Sequence, residues 1–211
     1  MKLNDIIKNG KEVIRIEAAA VADLQNSINE DFVNAVETIF ASKGRVVLTG
    51  MGKSGLIARK IVATFNSTGT AAIYLHPTDA LHGDLGMVRS DDVVILISKS
   101  GETEEISNLL PMLKRLNVKL IAISNNKESR LARECDIFLS ISVKEEACPY
   151  DLAPTASTTA TLALGDALAV SLLKKRKFTA NDFAFLHPGG SIRKRLSLKI
   201  KEVMISGERI P

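Results

Sequence analysis

The residues best suited to chemistry form a hydroxyl-rich turn near the middle of the chain. The continuous apolar run Val93–Ile97 predicts a buried strand, and Ser98-Lys99-Ser100-Gly101 follows it. The acidic residues 102–105 then precede an apolar-periodic run over residues 106–116, which predicts a helix. The unpaired N–H groups of that helix start, with the hydroxyls of Ser98, Ser100 and Thr103, could hold an anion. An ordinary strand–helix turn is the alternative interpretation.

A second turn with binding potential follows the first predicted strand. Its sequence, Gly50-Met51-Gly52-Lys53-Ser54-Gly55, fits both the phosphate-loop pattern and the dinucleotide fingerprint in part. The phosphate-loop pattern fails because Val47 stands where it needs a glycine. The dinucleotide pattern needs an acidic residue at the end of the second strand, but that strand ends at Leu75-His76. The turn therefore favours a small ligand close to the glycines, with Lys53 and Ser54 facing it.

A third hydroxyl-rich helix start occurs at Thr155-Ala156-Ser157-Thr158-Thr159. One such start is weak support for a binding site, because capped helices are common. Three of them in one α/β domain favour a phosphorylated small molecule as the ligand.

The three histidines of the chain, His76, His82 and His187, all fall in predicted loops. His82 belongs to His82-Gly83-Asp84, and His187 precedes Pro188-Gly189-Gly190. Each could take part in proton transfer, and each could equally be a surface residue or a structural hydrogen-bonding group.

The elements that must position these residues alternate between strands and helices from residue 45 onward. Strands are predicted over residues 45–49, 70–75, 92–97, 119–124 and 136–141, with helices at about 53–66, 103–116 and 128–133. This alternation predicts an α/β fold with a doubly wound, five-stranded parallel sheet flanked by helices. Ligands of such sheets bind at the carboxyl ends of the strands.

Helical segments flank the predicted sheet region on both sides. Two helices over residues 2–42 form an N-terminal extension that packs outside the sheet or against another subunit. Residues 155–175 form a long helix whose only acid is Asp166, which suits the core or an oligomer interface. A short helix over residues 181–186 and a final basic helix follow. We divide the chain into N-terminal helices (1–42), one α/β domain (43–198) and a C-terminal linker (199–211).

Composition limits the classes of function. The 28 basic and 24 acidic residues give a net charge of +4, and the basic clusters have no interleaved aromatic residues, so we expect no nucleic-acid partner. Cys135 and Cys148 fit neither a metal spacing nor a disulfide framework, and we expect both to be reduced and buried. No signal peptide is visible, and no apolar run approaches the length of a membrane span. A cytoplasmic protein without a membrane partner is expected.

Six segments together resemble the sugar isomerase (SIS) family: GMGKSG, STGT, HPTDALHGDLG, ISKSGETEE, EACPYDLAPTASTT and HPGG. The resemblance runs from about residue 10 to 211. The segments ALHGDLG, EACP and LAPT are similar to those of the arabinose 5-phosphate isomerase branch. That branch interconverts D-ribulose 5-phosphate and D-arabinose 5-phosphate at the start of Kdo synthesis for lipopolysaccharide or capsule. Members usually continue into paired CBS domains, and this chain reaches Val203-Met204, where the first would begin. We expect a stand-alone enzyme or a shortened chain.

The resemblance implies roles for particular residues. Catalytically important positions match Lys53, Glu105, Glu146 and His187. Phosphate contacts match Ser54, Ser98, Ser100 and Thr103, and further substrate contacts match Gly69, Thr70 and His76. His82 matches a position that contacts substrate and zinc. Because Glu102 belongs to the general signature of the family, the acid that faces the substrate could be Glu102 or Glu105.

The resemblance also implies partners and chemistry. No cofactor is required, and zinc acts as an inhibitor. The family forms homotetramers in which a histidine like His187 can complete a neighbour's site. Isomerisation needs a base, for which Glu105 and His187 both remain candidates, and Lys53 would stabilise an enediolate. The alternatives are another phosphosugar isomerase, such as a 3-hexulose-6-phosphate isomerase, or a non-catalytic sugar-phosphate-sensing module.

Overall fold

A five-stranded parallel sheet forms the centre of the protein, in a computed structural model that describes residues 3–188. The strands are β1 (Val46–Gly50), β2 (Ala72–Leu75), β3 (Val93–Ile97), β4 (Lys119–Ser124) and β5 (Ile137–Ser140). Their order across the sheet is β2-β1-β3-β4-β5, and every neighbouring pair is parallel. The predicted doubly wound α/β sheet is confirmed, and the strand bounds differ from the predicted ones by at most two residues.

Eight α-helices lie within the described residues. They are α1 (Leu3–Asp23), α2 (Glu30–Ala41), α3 (Gly52–Ser67), α4 (Pro77–Leu81), α5 (Glu104–Arg115), α6 (Arg130–Glu134), α7 (Ala156–Lys175) and α8 (Ala180–Leu186). Helix α4 was not predicted from the sequence, which indicated a loop at these residues. Pro77 at the first position of α4, with its fixed φ, is the signal that could have predicted this helix.

The core consists of two apolar layers, one on each face of the sheet. One layer packs α1, α2, α3 and α7 against the sheet, and the other packs α4, α5 and α6. β3 supplies both layers: Val93, Ile95 and Ile97 face the first, whereas Val94 and Leu96 face the second. Burial on both faces explains why this strand is an unbroken apolar run.

Helix α7 is the long apolar helix predicted from the sequence. It packs against α1, α2 and α3. By length and composition it is the one helix within residues 3–188 that could cross a membrane, and half of its most apolar window is buried. The sequence expectation that no apolar run approaches such a length is therefore corrected. The burial is typical of a core helix.

Other sequence predictions have mixed outcomes. Cys135 and Cys148 are free, but each is half-buried rather than buried. Lys174 and Lys175 lie in the last turn of α7, where positive charge interacts favourably with the helix dipole. The predicted basic helix and the linker at 199–211 lie outside the described residues.

Gly165 allows the close approach of α7 to α3 and gives a test of the core. A Cβ atom at Gly165 would overlap the side chain of Ile61, which is 1% exposed and cannot move aside. We predict that Gly165→Val lowers the free energy of unfolding by about 1–3 kcal/mol, as overpacking does. Denaturant unfolding measures this loss, and adding Ile61→Ala should recover part of it.

Gly86 provides the control, because it is exposed and has nothing within 4 Å of its Cβ position. Gly86→Val should change the free energy of unfolding by no more than about 0.5 kcal/mol. Equal effects at Gly86 and Gly165 would contradict the close-packing argument.

Candidate active site

The turns after β1 and β3 lie side by side at the carboxyl edge of the sheet. Gly50, the last residue of β1, is paired in register with Ile97, the last residue of β3. The chain then leaves β1 into α3 on one face and leaves β3 into α5 on the other. The two connections diverge, and the place between them, the β1–β3 crevice, is where the topology of a doubly wound sheet predicts a ligand.

The β1 turn brings the start of α3 into this crevice. Gly52 has a φ of +56°, which favours glycine, and Lys53 and Ser54 follow in the first turn of the helix. Lys53 is exposed, and Ser54 is half-buried. The hydroxyl of Tyr74 donates a 2.8 Å hydrogen bond to the Gly50 carbonyl oxygen and so fixes the beginning of the turn.

The β3 turn groups hydroxyls and N–H groups, as the sequence predicted for an anion site. Ser98 Oγ and Thr103 Oγ1 are 2.7 Å apart, and the N–H of Gly101 donates to Ser98 Oγ at 3.0 Å. The N–H of Glu102 donates to Ser100 Oγ at 3.2 Å. Gly101 has a φ of +71°, and a Cβ atom there would overlap Ser129. The turn is therefore rigid, and its hydroxyls lie close to the start of α5.

The structure separates the two acids that the sequence left open. Glu102 Oε1 accepts a 2.7 Å hydrogen bond from the backbone N–H of Arg130, the first residue of α6. Glu105 lies half-buried in the first turn of α5, next to the β3 turn. The contact at α6 gives Glu102 a structural partner, which favours Glu105 as the acid that faces a ligand.

Two histidines flank the same edge of the sheet. His76 follows β2, the other neighbour of β1, and its Nδ1 lies 3.8 Å from Asp79 Oδ2. His82 is exposed at the end of α4. Within residues 3–188, no group of three or more histidine, cysteine, aspartate and glutamate side chains could hold a metal ion. Zinc binding at His82 therefore stays a prediction.

The structure does not bring Gly69 and Thr70 to this edge. Both residues precede β2 and so lie at its amino end, whereas Lys53 and Ser98 follow their strands. Gly69 packs against the ring of Phe178, just beyond the end of α7. Within a single chain, Gly69 and Thr70 therefore lie apart from Lys53 and Ser98. Substrate contact at Gly69 and Thr70 stays a prediction that requires a second chain.

His187 follows α8, which begins two residues after Phe178. Its ring stacks on Phe183 at 3.9 Å between centroids, and its Nδ1 lies 2.8 Å from the Phe183 carbonyl oxygen. Because a carbonyl oxygen can only accept, Nδ1 carries the proton. In the neutral ring Nε2 is then an acceptor, as a general base requires.

Glu146 is buried at the amino end of α7, in the loop of residues 144–154. Its Oε2 accepts hydrogen bonds from the N–H groups of Thr155 (2.8 Å) and Ser157 (3.0 Å) and from Thr155 Oγ1 (3.2 Å). Its Oε1 accepts no well-directed hydrogen bond among the described residues and is held by the ammonium of Lys99 at 3.0 Å. The protein's own carboxylate therefore occupies the third helix start, which corrects the expectation that this start also binds the ligand.

The charges around Glu146 keep it ionised. Burial alone would raise its pKa, but hydrogen bonds from the Ser157 side chain, the Thr155 and Ser157 N–H groups and Lys99 outweigh burial and lower the pKa from 4.5 to about 2. Lys99 also contacts Asp151 Oδ2 at 3.0 Å. Burial lowers the pKa of Lys99, but its bonds to Asp151 and Glu146 outweigh that effect and raise it.

The sequence did not indicate that three further residues, Lys99, Asp151 and Asn125, contribute to this arrangement around Glu146. Lys99 and Asp151 carry no pattern that links them to Glu146, 47 and 5 residues away. Asn125 pairs its side-chain amide with the backbone of Val143, with bonds of 2.7 and 2.6 Å, and so fixes the start of the loop. Asn125 directly follows a predicted buried strand, which places it at the carboxyl edge of the sheet, but that position does not predict its contact with Val143.

The low pKa of Glu146 predicts a specific dependence of stability on pH. Because the folded-state pKa lies below the ordinary 4.5, the stabilisation is complete above pH 4.5 and is lost as pH falls towards 2. The pH-dependent part of the free energy of unfolding should amount to at most about 3 kcal/mol. Denaturant unfolding of the wild type and Glu146→Gln between pH 7 and 2.5 measures it. The two curves should converge as pH falls, and parallel curves would contradict the prediction.

The chain is similar to a known domain family and to curated proteins. A family model described as "SIS domain" matches residues 39–171. An Escherichia coli K12 protein named arabinose 5-phosphate isomerase KdsD is 55% identical over 207 residues. The match covers 98% of this chain and 63% of that protein. A Pseudomonas aeruginosa protein of the same name is 53% identical, over 98% of this chain and 64% of that protein. The chain thus spans somewhat less than two thirds of the length of these relatives.

The fold is also similar to that of a solved structure. The structure of an E. coli CFT073 protein in complex with arabinose 5-phosphate aligns with a TM-score of 0.86 and 46% sequence identity. The alignment covers 89% of this chain and 100% of that one.

Proposed function

The chain belongs to the SIS domain family, and on this basis we propose that it is an aldose–ketose isomerase that interconverts D-ribulose 5-phosphate and D-arabinose 5-phosphate. The observation that carries the proposal is the pairing of Gly50 with Ile97, from which the β1 and β3 turns leave the sheet side by side at its carboxyl edge and define the β1–β3 crevice. The crevice combines Lys53 at the start of α3 with the hydroxyls of the β3 turn and Glu105 at the start of α5. The relatives named arabinose 5-phosphate isomerase and the neighbour in complex with arabinose 5-phosphate support this choice of substrate.

In this proposal, the β3 turn binds the phosphate group of the substrate. Ser98, Ser100 and Thr103 donate hydroxyl hydrogen bonds, for which the 2.7 Å bond between Ser98 and Thr103 must open. The N–H groups at the start of α5 add the positive end of the helix dipole. Ser54 contributes from the neighbouring helix start. Because the phosphate does not react, its binding energy positions the carbonyl end of the sugar for proton transfer.

The reaction moves one proton between neighbouring carbons and one between their oxygens. A base removes the proton beside the carbonyl, the electron pair forms an enediolate, and the proton returns to the adjacent carbon to give the isomer. Glu105 and Nε2 of His187 are the two candidates for the base. Lys53 supplies the positive charge that stabilises the enediolate, while His76 and His82 contact the sugar. Glu146 is also important for catalysis.

We infer that the enzyme is a homotetramer whose sites combine residues of different chains. The placement of Gly69 and Thr70 at the opposite edge of the sheet from Lys53 supports shared sites. Four large apolar side chains of α1 are at least half exposed, which is typical of an interface: Leu3, Ile6, Ile7 and Ile14. The protein is cytoplasmic, needs no cofactor, is inhibited by zinc at His82 and catalyses the first step of Kdo synthesis.

Removal of the Lys53 ammonium tests the chemical step. We predict that Lys53→Ala lowers kcat by about 10²–10³-fold, as loss of a group that stabilises transition-state charge does. A coupled assay of ribulose 5-phosphate conversion to arabinose 5-phosphate measures the loss. Turnover of hexulose 6-phosphate by the wild type would indicate a different phosphosugar isomerase. Binding of sugar phosphate without any turnover would indicate a non-catalytic sensing module.

Lys60 supplies the matched control, because it lies on the same helix and forms an exposed ion pair with Asp166 at 2.6 Å. Lys60→Ala should keep the turnover of the wild type, since exposed pairs contribute at most about 1 kcal/mol to stability. Circular dichroism measures the folded fraction of Lys53→Ala. If that fraction falls in proportion to activity, Lys53 has a structural role.

Subunit mixing tests whether sites are shared. Lys53→Ala and His187→Ala should each be inactive, but unfolding and refolding them together should restore activity. If one chain supplies Lys53 and another His187, random mixing restores about a quarter of the sites. If one chain supplies both, mixing restores none, and that result would contradict the shared site.

A further inference from the structure

Lys99 joins the β3 turn to the loop of residues 144–154. Its ammonium contacts Glu146 Oε1 and Asp151 Oδ2, each at 3.0 Å. Its carbonyl oxygen accepts hydrogen bonds from the N–H of Asn125 and from Ser124 Oγ, each at 3.0 Å. The backbone of Lys99 is therefore fixed between Ser98 and Ser100, while its side chain reaches a different segment.

The loop is in turn fixed around Glu146. The N–H of Glu146 donates to Asp151 Oδ1 at 2.9 Å, and the N–H of Ala147 donates to Thr155 Oγ1 at 2.9 Å. The Glu146 carboxylate binds the start of α7 through Thr155 and Ser157. One carboxylate thus connects three segments: the loop, the start of α7 and, through Lys99, the β3 turn.

The geometry is poorly suited to proton transfer by Glu146 itself. Its side chain has no exposed surface, and each of its two oxygens is held by a partner. A general base must come within hydrogen-bond reach of the proton that it removes. Reaching a substrate would require Glu146 to leave both Lys99 and the start of α7.

We propose that Glu146 and Lys99 are positioning residues, which together hold the phosphate-binding β3 turn against the loop and the start of α7. Glu146 therefore affects catalysis through Lys99 and the β3 turn and is not the base. Asp151 is an outer member of this cluster, because its side chain is 59% exposed. The inference rests on the proposed function for its kinetic test, but the cluster itself can be tested without activity.

Kinetics of Lys99→Met, Glu146→Gln and the double variant test the proposal. A loosened turn should misplace the phosphate, so Lys99→Met should raise KM and lower kcat, with kcat/KM reduced about 10–100-fold. Glu146→Gln should have a similar effect, and the double variant should be no worse than the more severe single variant, because both changes break one contact. Lys99→Arg keeps the charge and should stay within about threefold of the wild type.

A different kinetic pattern would overturn the proposal. If Glu146 is the base, Glu146→Gln lowers kcat about 10²–10⁴-fold at nearly unchanged KM and removes the acid limb of the pH–rate profile. Lys99→Met would then keep nearly full activity, and the two effects would multiply in the double variant.

Hydrogen exchange provides the readout that does not depend on activity. The amides of Thr155 and Ser157 should exchange at least about tenfold faster in Lys99→Met and in Glu146→Gln. Lys119→Met is the control, because Lys119 pairs with Asp136 at 2.9 Å at the amino end of β4, away from the turn. It should change neither the exchange nor kcat/KM. Unchanged exchange in Lys99→Met would refute the cluster, whereas faster exchange in a chain without isomerase activity would refute the proposed function alone.

Discussion

The arrangement of the site depends on the parallel pairing of β1 with β3 and on the opposite directions that the chain takes after them. Gly50 and Ile97 end in register, so the next residues of both connections start from one point on the sheet edge. The helices that follow pack on opposite faces, which keeps the turns apart and leaves the N–H groups of both helix starts facing the gap. A slip in register would separate Lys53 from the hydroxyls of the β3 turn.

Much of this arrangement could be predicted from the sequence, because it depends on local patterns. The unbroken apolar run of β3 indicates burial on both faces, and the alternation of strands and helices then requires a parallel sheet. Strand β4 begins and ends at the predicted residues, 119 and 124. The hydroxyls of Ser98, Ser100 and Thr103 could be placed together because they belong to one turn.

The sequence could not predict contacts between distant segments. Lys99 and Glu146 are far apart in the chain, and Glu102 and Arg130 meet only because the starts of α5 and α6 are neighbours. The strand predicted over residues 70–75 already placed Gly69 and Thr70 at its amino end, a full strand length from the carboxyl edge. The resemblance to a family assigned both residues to the substrate without a contact that could bring them to that edge.

The three hydroxyl-rich helix starts illustrate the difference between a pattern and a site. All three supply N–H groups and the positive end of a helix dipole. At α7 the buried carboxylate of Glu146 already accepts hydrogen bonds from the N–H groups of the helix start. A second anion there would be repelled by the charge of Glu146 at short range. At α3 and α5 the nearby side chains are a lysine, hydroxyls and the two acids of the first turn of α5, Glu104 and Glu105, and no carboxylate is described as bound to the N–H groups of these helix starts. A phosphate is therefore directed to the β1–β3 crevice, and Lys99, held by Glu146, keeps the β3 turn in place there.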